Sequence, residues 1–215
     1  MIEVLFESDQ AVVCVKPAGV QSQEAGALSM PALLRAQLGC PEIFPVHRLD
    51  VQTGGVMVYA KTPEEAARLS ALIAQGRMQK TYLALLTSCP SERSGSWKDF
   101  LYHDRQKNKT YVVNRMRRGV REAELQYEVL AQSERHTLVR VRLMTGRTHQ
   151  IRAQFSARGF PLAGDGKYGS RENCPLALWA YRLELPGADG RTMRVSALPP
   201  HSAPWTEFPE ILHEI

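Results

Sequence analysis

The chain of 215 residues is 44% hydrophobic and 23% charged, a balance typical of a soluble globular protein, and its length suits a single domain over residues 1–215. No apolar run approaches the roughly 20 residues of a membrane span, and the N-terminus lacks the basic and apolar segments of a signal peptide, so we expect a cytoplasmic protein. The four cysteines form no C-x-x-C pair, which argues against a zinc ribbon and favours reduced thiols.

Short strands dominate the predicted secondary structure. Apolar patterning and turn residues predict strands at 2–6, 11–15, 55–61, 79–87, 110–113, 123–130, 137–143, 176–185 and 191–197, the last two joined around PGADG. Residues 88–97 are predicted to form a loop rich in turn residues. Helices are predicted from an N-cap at Ser29 to Gly39, from a capping box at Thr62 and Glu65 to Gly76, and over 149–157. Because strand and helix do not alternate regularly, we expect an α+β fold with a mixed or antiparallel central sheet, flanking helices and loops, and an active-site cleft.

Positive charge is concentrated in two segments of a chain whose formal net charge is +5. Residues 105–121 hold seven cations and no acid, and residues 145–171 hold five cations against Asp165 alone. A charged run is usually only a solvated surface. Two such runs in one small domain, with Tyr111 in the first and an R-x-H-x-x-R arrangement in the second, favour a polyanionic partner.

A single carboxylate, Asp50, follows Arg48 in the stretch PVHRLDVQTGG, just before a predicted buried strand. One interpretation is structural, because an aspartate in a turn often accepts hydrogen bonds from backbone amides. The other is a carboxylate nucleophile, which can form a covalent intermediate at a sugar carbon and must stay ionised. A guanidinium lowers a carboxylate pKa, and Arg48, Arg147 and Arg152 are the candidates for that role. The spacing alone leaves both interpretations open.

Three motifs occur in order along the chain: HRLDVQTGG, KTYLALL and TGRTHQIRAQFSARGFPLAGDGKYG. Together they resemble the motifs of the RluA-type pseudouridine synthases. HRLDVQTGG resembles the active-site motif H-R-L-D-x-x-T-S-G, and KTYLALL resembles the second motif of that family. TGRTHQIRAQFSARGFPLAGDGKYG resembles the third motif, T-G-R-x-H-Q-I-R, with the following G-D-x-x-Y-G stretch. The order and spacing of the motifs agree from about Val12 to Leu185. Three motifs in order are far more specific than one, so the resemblance implies a pseudouridine synthase catalytic fold.

The resemblance implies that the chain is an isomerase that converts uridine to pseudouridine in structured tRNA or rRNA, without cofactor or metal. Asp50 matches the nucleophile, which attacks the target nucleoside at the ribose C1′ or at the base. Tyr82 matches the tyrosine that stacks on the target base and helps to remove the C5 proton, and Arg152 matches the arginine that pairs with the catalytic aspartate. From the residues alone, Tyr82 could instead be a core residue and Arg152 a phosphate ligand.

Further residues of the motifs are expected to bind the substrate. Arg48 matches the arginine that enters the base stack in place of the flipped uridine, a role that suits a planar guanidinium. Gly54, with Gly55, would let the backbone approach the RNA closely. The other expected substrate-binding residues are His47, Thr53, Lys80, Arg147, His149 and Ile151. We expect a monomer that consists of the catalytic domain without an S4-type RNA-binding domain, so that residues 105–121 supply RNA affinity.

Three positions depart from the family pattern: Gly55 replaces a serine, and Phe160 and Trp179 each replace a histidine. None of these positions has a chemical role, so the departures concern local shape. Two other classes of function were weighed. A non-catalytic RNA-binding protein is disfavoured by the intact Asp50, Tyr82 and Arg152. A glycoside or nucleoside hydrolase is disfavoured because it would need a second carboxylate as its acid, and none is placed to serve.

Overall fold

A computed structural model describes residues 1–187 and 190–215, so the tip of the predicted PGADG hairpin, at residues 188 and 189, lies outside the described residues. The chain falls into two units, which we call the first unit (residues 1–80 and 179–199) and the second unit (residues 81–178 and 200–215). Whether they act as the one predicted domain stays a prediction. None of the helices in the described ranges is both long enough and apolar enough to span a bilayer.

The described residues form short strands and few helices. The strands are β1 Val4–Glu7, β2 Ala11–Lys16, β3 Phe44–Pro45, β4 Gly54–Ala60, β5 Gln79–Leu86, β6 Ser94–Asp104, β7 Lys109–Val113, β8 Val120–Gln132, β9 Thr137–Leu143, β10 Leu178–Pro186 and β11 Thr192–Ser196. The α-helices are α1 Met30–Leu38, α2 Pro63–Ala74, α3 Gln150–Ser156 and α4 Pro209–Glu214. Two 3-10 turns lie at Gly166–Tyr168 and Trp205–Glu207.

The first unit is built on a mixed sheet in the strand order β1–β2–β4–β10–β11, with β3 also paired to β4. The β4 and β10 strands run parallel, whereas the other pairs in this unit are antiparallel. All seven residues of β4 are buried. The α2 helix packs Leu69 and Leu72 against Val56, Val58 and their neighbours on this sheet. Each buried leucine contributes about 1.5–3 kcal/mol, so α2 anchors β4, the strand that follows Asp50.

Helix capping shows how much local sequence determines in the first unit. The hydroxyl of Thr62 accepts a hydrogen bond from the Glu65 N–H at 3.2 Å, which confirms the predicted cap of α2. The Glu65 carboxylate, however, pairs with Arg68 instead of completing a capping box. At α1 the predicted N-cap residue, Ser29, is confirmed, although its hydroxyl donates to the Gly26 carbonyl at 2.9 Å and caps no helix N–H.

The second unit holds the strand order β5–β9–β8–β6–β7, in which β9, β8, β6 and β7 are joined by antiparallel pairs. Its core includes the rings of Trp97, Tyr127 and Phe155, with centroid distances of 4.5 Å from Trp97 to Tyr127 and 4.7 Å from Trp97 to Phe155. Phe155 belongs to α3, so this aromatic cluster fixes the helix that carries Arg152 against the face of β6 and β8.

Most predicted strands are confirmed to within three residues of each end, but β6 was missed. The prediction of a loop over 88–97 is wrong from Ser94 onward, because β6 begins there and continues to Asp104. Serine and glycine at its start are typical of turns, and most of its residues are only half-buried. The two-residue β3, the two 3-10 turns and α4 were missed as well.

Candidate active site

The first unit carries Asp50 in a loop at residues 47–53, which we call the Asp50 loop. Ser22 fastens this loop at both backbone groups of Leu49: the Ser22 hydroxyl donates to the Leu49 carbonyl at 2.9 Å and accepts from its N–H at 3.2 Å. The Thr53 N–H donates to the Asp50 carbonyl at 3.0 Å, which closes a turn. The backbone of the half-buried Asp50 is therefore fixed before any substrate arrives.

His47 ties the start of the Asp50 loop to β4. Its Nε2 accepts a hydrogen bond from the Val58 N–H at 3.1 Å, so the neutral ring carries its proton on Nδ1. Burial, together with the positive charge of Lys80, holds the His47 pKa well below its usual value. In the described part of the chain, neither His47 Nδ1 nor the Thr53 hydroxyl has a hydrogen-bond partner. The hydrogen bond to Val58 gives His47 a supporting role in the loop, and its expected contact with the substrate stays a prediction.

A buried lysine that the sequence analysis did not identify lies close to Asp50. The Lys16 side chain is fully buried, and its ammonium donates to the carbonyls of Pro17 at 2.8 Å, Val20 at 2.7 Å and Val51 at 3.1 Å. Burial lowers its pKa to about 8, against the opposing attraction of the Asp50 carboxylate. The first unit thus holds a cation beside its candidate nucleophile. A lysine at the end of an apolar strand, before a Pro-Ala-Gly turn, was the available signal.

The two glycines after Asp50 serve packing within the protein. A Cβ on Gly54 would collide with the Trp179 ring, and one on Gly55 would collide with the Ala180 backbone. Gly55 also has φ of +122°, which L-residues rarely adopt. Both glycines therefore serve the contact with β10, and the expectation that they let the backbone approach the RNA closely stays a prediction. Arg48, by contrast, is exposed on the Asp50 loop.

Two of the predicted site residues in the second unit are buried in its core. Tyr82 lies in β5 with 7% of its surface exposed, and Ile151 lies in α3 with 3% exposed. The apolar run Leu83–Leu86 that follows Tyr82 is fully buried. Ile151 is consequently placed to pack α3, and only a small part of the Tyr82 surface is exposed.

Arg152 forms a two-pronged ion pair inside the second unit. Its Nε donates to Asp165 Oδ2 at 2.7 Å and its Nη2 to Asp165 Oδ1 at 2.8 Å. The side chains are 10% and 1% exposed, so the pair is shielded from water. The Tyr168 ring lies 4.9 Å from the guanidinium carbon. The resemblance implied a pairing of Arg152 with the catalytic aspartate, and the structure adds Asp165 as a carboxylate partner within this unit.

A polar network surrounds the Tyr168 hydroxyl next to that pair. The hydroxyl accepts from the Thr110 N–H at 2.7 Å and lies 3.0 Å from His149 Nδ1. Burial raises the Tyr168 pKa, which keeps the phenol protonated at neutral pH. His149 adopts a left-handed backbone, with φ of 53°, at the start of α3. The network joins β7, α3 and the Gly166–Tyr168 turn at one point.

The basic segment 105–121, which we call the basic hairpin, covers the β6–β7 turn, β7 and the loop that leads into β8. Arg115, Arg117 and Arg118 are exposed, and the Arg117 guanidinium lies 5.4 Å from the Tyr102 ring centre. Tyr111 is 37% exposed, with the Lys109 ammonium 5.7 Å from its ring centre. Exposed aromatic rings among cations are typical of surfaces that bind nucleic acids.

Arg147 lies at the surface of the same unit. Its Nε donates to the Glu122 carbonyl at 2.9 Å, and its backbone N–H donates to Gln150 Oε1 at 3.0 Å. These bonds fix the turn before α3, and the Arg147 side chain is exposed. Such a cation is suited to a phosphate contact.

Comparison with known proteins decides the family. The sequence profile described as RNA pseudouridylate synthase matches residues 10–157 of this chain. The chain is an RNA pseudouridylate synthase family member. The matched region contains the Asp50 loop, Tyr82 and Arg152, so the residues singled out from the sequence lie within the part that is common to the family.

Curated relatives and solved structures agree with this family. The chain is 34% identical over 181 residues to the ribosomal large subunit pseudouridine synthase D of Pseudomonas aeruginosa, covering 81% of this chain and 55% of the relative. It is 33% identical over 190 residues to an uncharacterized RNA pseudouridine synthase of Zymomonas mobilis, covering 85% and 86%. The chain thus spans about half of the length of the Pseudomonas relative.

The fold of the RNA pseudouridylate synthases is confirmed by two solved human structures. Human RNA pseudouridylate synthase domain containing 4 superposes with a TM-score of 0.78 at 24% identity, covering 98% of this chain and 92% of the other. Human RNA pseudouridylate synthase domain containing 1 gives 0.80 at 24% identity, covering 94% and 85%. At this level of identity the likeness concerns the fold alone.

Two departures of this family member from the motif pattern have one structural reason. A serine in place of Gly55 would meet the Ala180 backbone, and Trp179 fills the space beside Gly54, which has no side chain. The Trp179 indole donates to the Ala197 carbonyl at 2.8 Å, which fixes the ring there. Gly55 and Trp179 are therefore part of one close strand contact. Phe160 is half-buried, and nothing in the structure explains that departure.

Proposed function

We propose that this chain converts uridine to pseudouridine in RNA with Asp50 as the nucleophile. The observation that carries the proposal is the Asp50 loop: a single carboxylate on a backbone that Ser22 and Lys16 fasten, inside the region that matches the family. The buried ammonium of Lys16 places a positive charge beside this candidate nucleophile, where it can stabilise negative charge electrostatically. No second carboxylate is needed, because the reaction transfers the base within one molecule.

The reaction conserves atoms and needs no oxidant or reductant. Asp50 attacks the target nucleoside at C1′ or at the base while the N1–C1′ bond breaks. The freed uracil turns, its C5 forms the new bond to C1′, the bond to Asp50 breaks, and the C5 proton moves to N1 through solvent. Tyr82 stacks on the base and assists removal of that proton. Arg152, held in a dry environment, orients negative charge during the exchange.

Arg48 fills the position that the target base leaves. A uridine stacked in RNA hides C1′, and extruding it costs a few kcal/mol. Arg48 is exposed and lies two residues before Asp50, so its planar guanidinium can stack where the base was. The energy of that stacking offsets part of the extrusion cost.

We further infer that the substrate is a folded cellular RNA in the cytoplasm, with rRNA the first to test. The Pseudomonas relative is named for the ribosomal large subunit, which favours rRNA over the tRNA that the motifs also allow. The basic hairpin supplies affinity for the phosphate backbone without dependence on sequence. Position-resolved pseudouridine mapping of both RNAs in a deletion strain identifies the modified uridine.

The nucleophile is tested by Asp50→Asn under single-turnover conditions on an RNA that contains the mapped uridine. The amide keeps the shape of the side chain but cannot act as the nucleophile, so we expect no detectable pseudouridine and RNA affinity within about threefold of wild type. Clear turnover by the variant would remove Asp50 from this role. Release of free uracil by the wild-type protein would instead identify a nucleoside hydrolase.

Arg48→Ala is measured in the same assay on two RNAs. It retains the nucleophile and loses the group that fills the stack, so we expect a severe loss of rate on structured RNA. On an RNA whose target uridine is already unpaired the rate should partly recover, because that base costs less to extrude. An equal loss on both RNAs would make Arg48 an electrostatic neighbour of Asp50 and not a flipping residue.

A further inference from the structure

Two side chains of the third motif have no role in the reaction described above, although both contact Arg152. Asp165 holds the guanidinium through Nε and Nη2, and Tyr168 lies against one of its faces. Arginine has five N–H donors in a rigid plane, and the Asp165 pair uses two of them on one edge. That pair fixes the plane of the guanidinium, and with it the direction in which Nη1 points.

We propose that Asp165 is a positioning residue that sets the orientation of Arg152 before RNA binds, with Tyr168 as the surface on which the guanidinium rests. The inference rests on the proposed function, in which Arg152 orients negative charge. An arginine side chain loses rotamer entropy when it is ordered, and the Asp165 pair makes that ordering part of folding instead of catalysis.

The support of Asp165 is itself rigid. Its backbone N–H donates to the Leu162 carbonyl at 3.0 Å, and its carbonyl accepts from the N–H groups of Tyr168 at 3.0 Å and Ser170 at 3.1 Å. The Tyr168 hydroxyl is held in turn by the Thr110 N–H at 2.7 Å. The Asp165 carboxylate and the Tyr168 ring therefore contact Arg152 from a segment that these hydrogen bonds hold in place. A rigid support of this kind holds the Arg152 guanidinium in one orientation, whereas a mobile carboxylate would contribute only its charge.

Asp165 also changes what Arg152 offers to a second anion. The Asp165 carboxylate offsets the charge of the guanidinium, so Arg152 attracts a further anion through directed hydrogen bonds more than through net charge. An arginine without Asp165 would bind any nearby phosphate more tightly and less specifically. Asp165 therefore favours correct orientation at the reacting nucleoside over affinity for the RNA backbone.

The same unit contains a matched control pair. Arg158 donates to Asp99 through Nη1 at 2.9 Å and Nη2 at 3.0 Å, and its guanidinium carbon lies 4.3 Å from the Trp97 ring centre. Like the Arg152 pair, this pair is two-pronged and lies against an aromatic ring, and it has no role in the proposed chemistry. It is more exposed, with side chains 28% and 13% exposed, and Asp99 also accepts from Gln154 Nε2 at 2.7 Å. Asp99→Asn therefore measures what the loss of such a pair costs in stability alone.

The test compares Asp165→Asn with Asp99→Asn in three measurements: the single-turnover rate of pseudouridine formation, the RNA dissociation constant and the melting temperature. We expect both variants to melt at lower temperature. Only Asp165→Asn should lose rate, by about 100-fold, the size of effect expected from a misplaced catalytic group, with RNA affinity equal to or above that of wild type. Equal rates for the two variants after correction for the folded fraction would overturn the proposal.

A second variant covers the case in which Asp165→Asn does not fold. Arg152→Lys keeps the charge but cannot form the two-pronged pair, so it should lose rate to a similar degree, and a wild-type rate would overturn the proposal. If both single variants fold, the double variant should lose little more than either alone, because both changes break one unit. Absence of pseudouridine with the wild-type protein on the mapped RNA is a separate result, which refutes the proposed function itself.

Discussion

At the scale of single residues, Lys16 is notable because its side chain is fully buried and yet carries a positive charge. Three backbone carbonyls accept from its ammonium, which has three N–H donors, so only the protonated form satisfies all of them. Burial nevertheless brings its pKa down to about 8, within reach of cellular pH. The charge beside Asp50 is therefore present at neutral pH and lost in mild alkali.

We predict that the single-turnover rate of the wild-type protein falls as pH rises through about 8, because Lys16 loses its proton there. Lys16→Met should be slower at pH 7 by about 10-fold or more and should lack this fall. Lys98→Met, which removes an exposed lysine, is the control.

The pH dependence of the unfolding free energy distinguishes this loss of rate from alkaline unfolding of the protein. Because the folded pKa of Lys16 is below its unfolded value of 10.5, the unfolded state binds more protons between pH 8 and 10.5. The contribution of Lys16 to the unfolding free energy therefore rises with pH in that window while the rate falls. A rate that is flat up to pH 9 in the wild-type protein would refute the role of Lys16.

At the scale of elements, the sequence predicted features that depend on neighbours along the chain. The α2 cap needs only residues 62–65, and most strands show their own apolar pattern. The β6 strand could not be predicted in this way, because it is stabilised by pairing with β7 and β8, which lie further along the chain. The same distinction between local and distant neighbours applies to the candidate site residues. Motifs located Asp50 and Arg152, but Lys16 and Asp165 gain their roles from partners that sequence spacing does not reveal.

The turn between β8 and β9 illustrates a contact that spans distant segments. His136 is 2% exposed, and its ring nitrogens lie 2.8 Å from Glu172 and 2.9 Å from Glu207. Burial lowers the His136 pKa, but the hydrogen bonds to both carboxylates outweigh it, so the pKa is above its usual value. The Glu207 pKa is lowered, since hydrogen bonds from Ser133 and His136 outweigh burial. The imidazolium thus fastens the C-terminal segment to the second unit.

We predict that His136→Gln lowers the unfolding free energy more at pH 6 than at pH 9. A raised folded pKa means that His136 stabilises fully below its unfolded pKa of 6.5, and that this contribution is lost as pH rises through the folded pKa. The loss at pH 6 should be about 2 kcal/mol, the scale of hydrogen bonds to charged groups. Denaturant titrations at both pH values measure it, with the exposed His201→Gln as control. An equal loss at both pH values would show that the ring only fills space.

At the scale of the whole molecule, the arginines differ in whether an acidic side chain is paired with them. Several arginines are paired with acids at the surface, including Arg35 with Glu24, Arg140 with Glu128 and Arg194 with Glu184. The basic hairpin has no acid within its seventeen residues, from Arg105 to Arg121. Paired cations hold few counterions, so the hairpin is the region from which RNA would displace them. The net charge of +5 alone does not distinguish these two groups of arginines.

We therefore predict that replacing Arg115, Arg117 and Arg118 with glutamine weakens RNA binding and flattens its dependence on salt. Each lost phosphate contact should reduce the slope of log affinity against log salt by about 0.7–0.9, so the slope should change by about 2 to 3. At saturating RNA the single-turnover rate should stay near that of wild type, because none of the three is among the residues proposed to carry the chemistry.

The matched control for that variant replaces Arg35, Arg140 and Arg194 with glutamine, which lowers the formal net charge from +5 to +2 just as the hairpin variant does. Each of these arginines is paired with a glutamate, so few counterions are released from them on binding. Filter binding from about 50 to 200 mM salt compares the two slopes with that of wild type. If affinity follows net charge alone, the two triple variants will have the same slope, and the basic hairpin will be an ordinary solvated surface. A flatter slope in the hairpin variant alone locates the phosphate contacts there.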